Sequence, residues 1–296
     1  MMKTNSKIVD LHVHSTRSDG SMTPSGLVEY AIQKGLSAFA LTDHDTTAGV
    51  EEAILAAKSN LSHHSLEVIP GIELSTEYLG RDIHILGLYL PYQNQAFQDR
   101  LSNFLDSRTS RNLKMCSLLM QQGIPIDYPS LQNTFPDSVI TRAHFAEYLL
   151  QKGQIKSRNE AFERYIGDFG PCFVPREKIT PAQAISLILE FGGIPILAHP
   201  LLYSLGKEKL DALVALLAQS GLVGLEAVYS TYNPSEEREM RALAGKHNLA
   251  ISGGSDFHGT AKPGLDLATG YGRLYIPDSI LETLITTSKQ KRTNIS

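Results

Sequence analysis

The chain has 296 residues, 42% of them hydrophobic, and a formal net charge of −4. That is enough for one large domain or two smaller ones, and the charge excludes nucleic-acid binding through bulk basicity. No run approaches the roughly 18 apolar residues of a membrane span. No apolar leader follows MMKTNSK, and two cysteines, Cys116 and Cys172, fit a reducing compartment better than a disulfide framework, so a cytoplasmic location is expected.

In the opening stretch "DLHVHSTRSDG", Val9, Leu11 and Val13 alternate with Asp10, His12 and His14. This period of two predicts a strand over Ile8–Val13 that carries three metal-competent side chains on one face. Ser18-Asp19-Gly20 follows. Thr23-Pro24 supplies an N-cap and an N1 proline to a helix bearing Leu27, Val28, Ala31 and Ile32, stopped by Gly35. The next strands are expected at 37–41, leading to "LTDHD" with Asp43, His44 and Asp45, and at 66–69, leading to "PGIELS" with Glu73. A fourth, at 83–89, carries His84.

From about Gln93 to Lys178 the rhythm changes to mainly helical patterns punctuated by Pro125, Pro129, Pro136 and Pro171. Between Arg100 and Lys178 stand 11 Lys or Arg against 8 Asp or Glu, while the rest of the chain carries 16 against 23. A basic insertion in an acidic body is the one charge asymmetry of note. Arg142 and His144, in "TRAH", lie within it. Phosphate recognition favours the planar fork of an arginine.

Thr180-Pro181 opens another helix, closed by Gly192-Gly193. Strands are then expected at 194–198, ending in "AHP" with His199; at 224–228, with Glu226; and at 249–252, ending in "SDFH" with Asp256 and His258. Residues 273–276 form an eighth candidate. Strands alternating with helices predict parallel strands joined by crossovers, whose C-terminal ends gather on the face where α/β active sites sit.

Six of the ten histidines (His12, His14, His44, His84, His199 and His258) and three carboxylates (Asp19, Glu73 and Asp256) fall at those ends. Buried without partners, each would cost roughly 2 kcal/mol or more. Imidazole and carboxylate donors suit Mn, Fe or Zn, and nine ligands exceed one tetrahedral zinc. The pattern predicts two or three metals. Asp10 and Asp43 are candidates to orient ligand imidazoles, and Asp45 to cap a turn. Glu226 is structural or orients a ligand. His63, His64 and His247 read as ordinary hydrogen-bonded residues.

The series H-x-H, S-D-G, T-D-H-D, P-G-I-E, A-H-P and S-D-F-H, spread over residues 10–258, resembles the PHP (polymerase and histidinol phosphatase) superfamily. The insertion with "VITRAHFAEYLL" resembles its TrpH/YciV-like 3′,5′-nucleoside bisphosphate phosphatase subgroup. The resemblance implies an α/β fold, a distorted (β/α)7 PHP barrel with a mainly helical insertion. Residues 1–92 and 179–296 would form the barrel, and 93–178 a substrate-binding insertion.

It further implies a trinuclear centre. His12, His14, Glu73 and Asp256 would hold one metal. Glu73 would bridge to a second, completed by His84 and His199, and Asp19, His44 and His258 would hold the third. The expected cofactors are two to three divalent ions, manganese foremost, with Fe, Zn or Mg as alternatives. The implied activity is a phosphoesterase using metal-activated hydroxide on a pAp-type bisphosphate, with Arg142 and His144 binding substrate. Alternatives are a 5′-to-3′ exoribonuclease trimming RNA 5′ ends, a histidinol-phosphate phosphatase, and a non-enzymatic, polymerase-associated metal-binding module. An amidohydrolase is chemically related, but no lysine stands at a strand end to be carboxylated. The expected partner is a small phosphorylated nucleotide or an RNA 5′ end, with no membrane and no obligate protein partner.

Overall fold

A computed structural model describes residues 7–60, 66–167, 169–175 and 179–293. His63 and His64 lie outside the described residues. Seven strands form one sheet in the order of the chain: β1 (Ile8–Val13), β2 (Leu36–Leu41), β3 (Glu67–Tyr78), β4 (Arg81–Leu88), β5 (Ile194–Leu197), β6 (Gly224–Tyr229) and β7 (Ala250–Gly254). The ends of β1 and β7 meet through His14 N–H to the Phe257 carbonyl at 3.0 Å and Asp256 N–H to the His12 carbonyl at 2.9 Å. The sheet is thereby nearly closed into a barrel. Val9, Leu11, Ala38, Ile69, Leu86, Ile196, Val228 and Ala250 share one buried cluster drawn from all seven strands, as a barrel interior requires.

Helices surround it. α1 (Pro24–Gln33) packs on β2 and α2 (Val50–Ser59) on β3. After the insertion come α7 (Pro181–Glu190), α8 (Lys207–Gln219), α9 (Pro234–Lys246) and α10 (Asp278–Thr293). The predicted caps are in place. Thr23 Oγ1 accepts from Gly26 N–H, and Thr180 and Gln183 form a reciprocal capping box. α10 drives Ile280, Leu281 and Leu284 into the barrel cluster.

Three expectations are corrected. The strands are not all parallel: β3 pairs with β4, and β4 with β5, antiparallel. β3 does not stop at Ile69 but runs on to Tyr78 and turns back through Leu79-Gly80. Pro70-Gly71 reads as a terminator, yet Pro70 and Gly71 stay in the strand. A Cβ on Gly71 would come within 2.8 Å of the Leu41 carbonyl, so glycine permits that approach. The 273–276 segment is not a strand; it gives β1 one hydrogen bond, Val9 N–H to the Ile276 carbonyl at 3.0 Å, and an isolated bridge at Pro277.

The residues between β4 and β5 are helical, as expected: α3 (Gln95–Gln121), α4 (Tyr128–Thr134), α5 (Arg142–Gln151) and α6 (Arg158–Ala161), which continues as a π turn to Ile166. They have their own apolar cluster, with Met115, Leu119, Leu131, Phe145, Leu149 and Ile166. Cys116 and Cys172 lie in it as free thiols. A buried ion pair between Arg108 on α3 and Asp45 after β2 ties these helices to the barrel. No helix among the described residues is long and apolar enough to cross a membrane.

Candidate metal centre

The strict alternation expected of β1 is broken. Asp10 pairs with Phe39 but Val13 with Leu41, so β1 holds one extra residue, a bulge. Val9 and Leu11 stay in the barrel cluster, while Val13 joins Phe39 and Leu41 against α1. Asp10 is thereby separated from His12 and His14. Its carboxylate instead accepts from backbone N–H groups, those of Ser255 and Ala268 at 2.8 Å and that of His12 at 3.4 Å.

All nine predicted ligands are brought together. Their donor atoms form four overlapping groups: His12–His14–Asp256, His12–Glu73–His199, His44–Glu73–His84, and His14–Asp19–His44–His258, each within 4.8 Å. Glu73 sits at the middle. Its Oε1 is 2.8 Å from His84 Nδ1 and 3.0 Å from His199 Nε2, and its Oε2 is 3.1 Å from His44 and 3.2 Å from His14. A carboxylate whose two oxygens face different sets of imidazoles has the placement of a bridge. His14 groups with Asp19, His44 and His258 as well as with His12, which the division implied by the resemblance does not include.

Because β4 is reversed, His84 reaches the centre from the start of its strand and Glu73 from the middle of a long one. His199, Asp256 and Asp45 have φ of 25°, 55° and 57°, conformations that non-glycine residues hold only where surrounding contacts enforce them. Gly254 clears space for His12: a Cβ there would stand 2.2 Å from His12 Cβ and 2.9 Å from Glu226 Oε1.

The donor set fits divalent cations. Asp19 Oδ1, His44 Nδ1 and His199 Nδ1 are buried without a hydrogen-bond partner, and His12 Nε2 faces His14 Nε2 at 3.1 Å. Such atoms are costly unless a cation takes their lone pairs. Burial pushes the Glu73 pKa up, but His44, His84 and His12 outweigh it and hold the carboxyl well below its ordinary range. Asp19 is likewise lowered against its burial, by His44 and His258. Burial pulls the His44 pKa down to about 3, against the opposing pull of Glu73 and Asp19.

Around the ligands lies a shell of hydrogen bonds. Glu226 is fully buried. Its Oε1 lies 3.1 Å from His12 Nδ1, and its Oε2 accepts the His199 N–H at 2.7 Å, so it orients one ligand and anchors another. Asp43 accepts from Ser15 N–H and from the Ser15 and Ser18 hydroxyls at 2.6–2.8 Å, fixing the loop that carries Asp19. Asp45 accepts from Ser75 N–H at 2.7 Å besides pairing with Arg108. Asp256 Oδ2 accepts from the Tyr229 hydroxyl at 2.6 Å and Lys262 Nζ at 2.5 Å, leaving Oδ1 toward His12 and His14. His247 is an ordinary surface residue bonded to Asp211.

Tyr229, Lys262, Arg108 and Arg111 escaped the sequence reading. Tyr229 and Lys262 had a usable signal, since each lies within six residues of Glu226 or Asp256. The arginines had none, being single cations on a long helix.

Two cavities flank the centre, and Asp19 and Ala143 line both. The smaller, about 280 Å³, is bounded by Asp19, His44 and His84 on one side and by Arg108, Arg111 and Arg142 on the other. The larger, about 470 Å³, is bounded by Gly20, Phe135, His144 and Thr260 among others. Arg142 opens α5. Its guanidinium bonds Asp82 at 3.2 Å and the Ile166 carbonyl at 3.3 Å and lies over the Phe173 ring. His144 is two residues on, buried, with Nδ1 accepting the Thr141 N–H at 2.9 Å as part of a capping box. The structure thus separates the two, placing Arg142 at the basic cavity and His144 at the other.

Comparison with known proteins agrees with this architecture. The PHP domain model matches residues 10–166. The chain is 35% identical over 261 residues to the 5′-3′ exoribonuclease Rnm of Escherichia coli K12, covering 87% of this chain and 88% of that one. It is 28% identical over 260 residues to a 3′,5′-nucleoside bisphosphate phosphatase of Chromobacterium violaceum, covering 88% and 90%. A solved structure of an amidohydrolase from C. violaceum, holding sulfate and no metal, superposes with a TM-score of 0.82 at 27% identity, covering 94% of this chain and 96% of that one. Barrel, carboxylate–imidazole cluster and similarity over most of the chain lead to one assignment: the chain belongs to the PHP domain family.

Proposed function

We propose that this PHP protein is a metal-dependent phosphoesterase that hydrolyses the 3′-phosphate of a nucleotide whose 5′-phosphate is held at a distance. The observation that carries the reading is the smaller cavity, with the Glu73-centred cluster on one wall and Arg108, Arg111 and Arg142 on the other. Two or three divalent ions, manganese foremost, would be held by the nine clustered side chains. When bound, they supply an activated water and neutralise phosphoryl charge.

The chain's own residues do the rest. Glu226 and Asp43 hold the ligand imidazoles and the Asp19 loop in register. The arginine wall, presented by residues 93–178 acting as a substrate-binding insertion, fixes the phosphate that is not cut and so orients the one that is. His144 contributes indirectly, by fixing the start of the helix that presents Arg142. A cytoplasmic setting belongs to this reading, supported by two cysteines held as buried thiols.

A second reading, a 5′-to-3′ exoribonuclease, is supported by the 35% identity to the E. coli enzyme of that name. Both readings break the same P–O3′ bond. The test is a panel of pAp, histidinol phosphate and 5′-phosphorylated RNA with Mn²⁺ or EDTA, alongside elemental analysis. Hydrolysis of pAp well above histidinol phosphate, abolished by EDTA, with two to three metals per chain, is expected. Undiminished turnover in EDTA, or a preference for histidinol phosphate, would overturn the proposal.

A further inference from the structure

The second cavity, with about 470 Å³, lies within the roughly 300–1,000 Å³ of small-molecule sites. It meets the metal centre at Asp19, on the other side from the arginines. In the proposed reading the metals take one phosphate of a bisphosphate and the arginines the other, and neither role draws on this space. Its chemistry differs from its neighbour's. Its one arginine, Arg158, is engaged by Glu147 at 2.6 Å and by the Ala261 carbonyl at 2.7 Å. The neighbouring cavity is lined by three arginines, this one by a single arginine. What it offers is the Phe135 ring, 4.5 Å from the His144 ring, with Ser21, Ser138 and Thr260 around it. An aromatic face with hydroxyl neighbours suits a base and its ribose.

We infer that this cavity receives the second nucleoside of a 5′-phosphorylated RNA, the one that keeps the scissile phosphate. The inference rests on the phosphoesterase reading and extends it. The 5′-phosphate sits against the arginines, the first internucleotide phosphate sits at the metals, and the second nucleoside continues past Asp19 toward Phe135. The water oxygen adds to phosphorus, the P–O3′ bond breaks, and the leaving O3′ takes a proton. The products are a 5′-mononucleotide and an RNA one residue shorter with a new 5′-phosphate. In a bisphosphate a phosphate oxygen replaces the second nucleoside, and the same bond breaks to release inorganic phosphate.

Thr134 is exposed on the cavity rim and tolerates a bulky replacement, and Phe135 forms part of its wall. The experiment compares kcat/KM on a 5′-phosphorylated tetraribonucleotide with that on pAp. The RNA-to-pAp ratio should fall at least tenfold in Thr134→Trp, which fills the cavity, and about tenfold in Phe135→Ala. A 4-thiouridine at the second position of the RNA should photo-crosslink to the 134–138 segment, and one at the first position should not. An unchanged ratio in Thr134→Trp, or crosslinks that map elsewhere, overturns the inference. Wild-type protein that hydrolyses pAp but not RNA overturns it while leaving the phosphoesterase reading intact. Failure on both substrates removes the reading itself.

Discussion

Replacing Glu226 by Gln tests whether the cluster is a metal site oriented from behind. Glu226 is fully buried, 3.1 Å from His12 Nδ1 and 2.7 Å from His199 N. As a carboxylate it accepts from both, which puts the proton of His12 on Nδ1 and leaves Nε2 facing Glu73 and Asp256 at 3.4 and 3.5 Å. Glutamine keeps the shape but has a single acceptor oxygen. If that oxygen serves the His199 N–H, the amide NH2 faces the Nδ1–H of His12, donor against donor, and favours the wrong tautomer. Loss of one charge-assisted bond costs about 1.5–3 kcal/mol, and removing a partner of a metal-ligating histidine costs about 10–100-fold in metal affinity. The Mn²⁺ concentration for half-maximal hydrolysis of pAp should therefore rise about 10–100-fold, with calorimetric binding weakened in step. Turnover should recover at least in part in excess metal. Half-saturation within twofold of wild type would refute the orienting role and, with it, the placement of His12 Nε2 at a cation.

Arg142→Ala should lower kcat/KM on pAp by about ten- to a hundred-fold, the worth of a charge-assisted phosphate contact, and leave p-nitrophenyl phosphate within threefold; equal losses on both would place Arg142 in the metal site or the fold. Burial pulls the His14 pKa down, but hydrogen bonds to Asp256 and Glu73 outweigh it and hold it up at about 9. A protonated imidazole cannot ligate, so metal binding must displace that proton. Affinity should climb as pH rises toward 9, and calorimetry at pH 7 in buffers of different ionisation enthalpy should detect proton release; buffer-independent heats would contradict this. Arg108→Met should destabilise the protein by about 3–5 kcal/mol in urea unfolding, because it leaves the buried Asp45 carboxylate without its cation. A loss below about 1 kcal/mol would show that other contacts neutralise Asp45.

The nine clustered residues were legible because each stands beside a short apolar run that had to be a strand, and period two states which residues leave that run. Direction was not legible in the same way. Nothing within "RDIHILGLYL" says whether the strand points up or down. That is set by the connection before it, Leu79-Gly80, which is too short for a crossover helix. The β1 bulge was hidden for a related reason: alternation predicts faces only while pairing is regular, and the extra residue belongs to the pairing with β2. The arginines of the basic cavity could not be found locally. Arg108 reaches Asp45 across 63 positions of sequence, through the fold of an insertion whose path no periodicity describes.

The reversal of β4 also gives the centre an order of assembly. Glu73 and His84 are 11 positions apart and meet through a tight hairpin, whereas His12 and Glu226 are 214 apart. The local pair forms at a small loop-closure cost, and the distant one must await barrel closure. Pulse-labelled hydrogen exchange during refolding should protect the β3–β4 amides before those of His14 and Asp256, which bridge the β1–β7 seam. The β1–β7 seam is then the last joint of the barrel. A half-built centre already offers a carboxylate and an imidazole to a passing cation, while full affinity is a property of the closed ring alone.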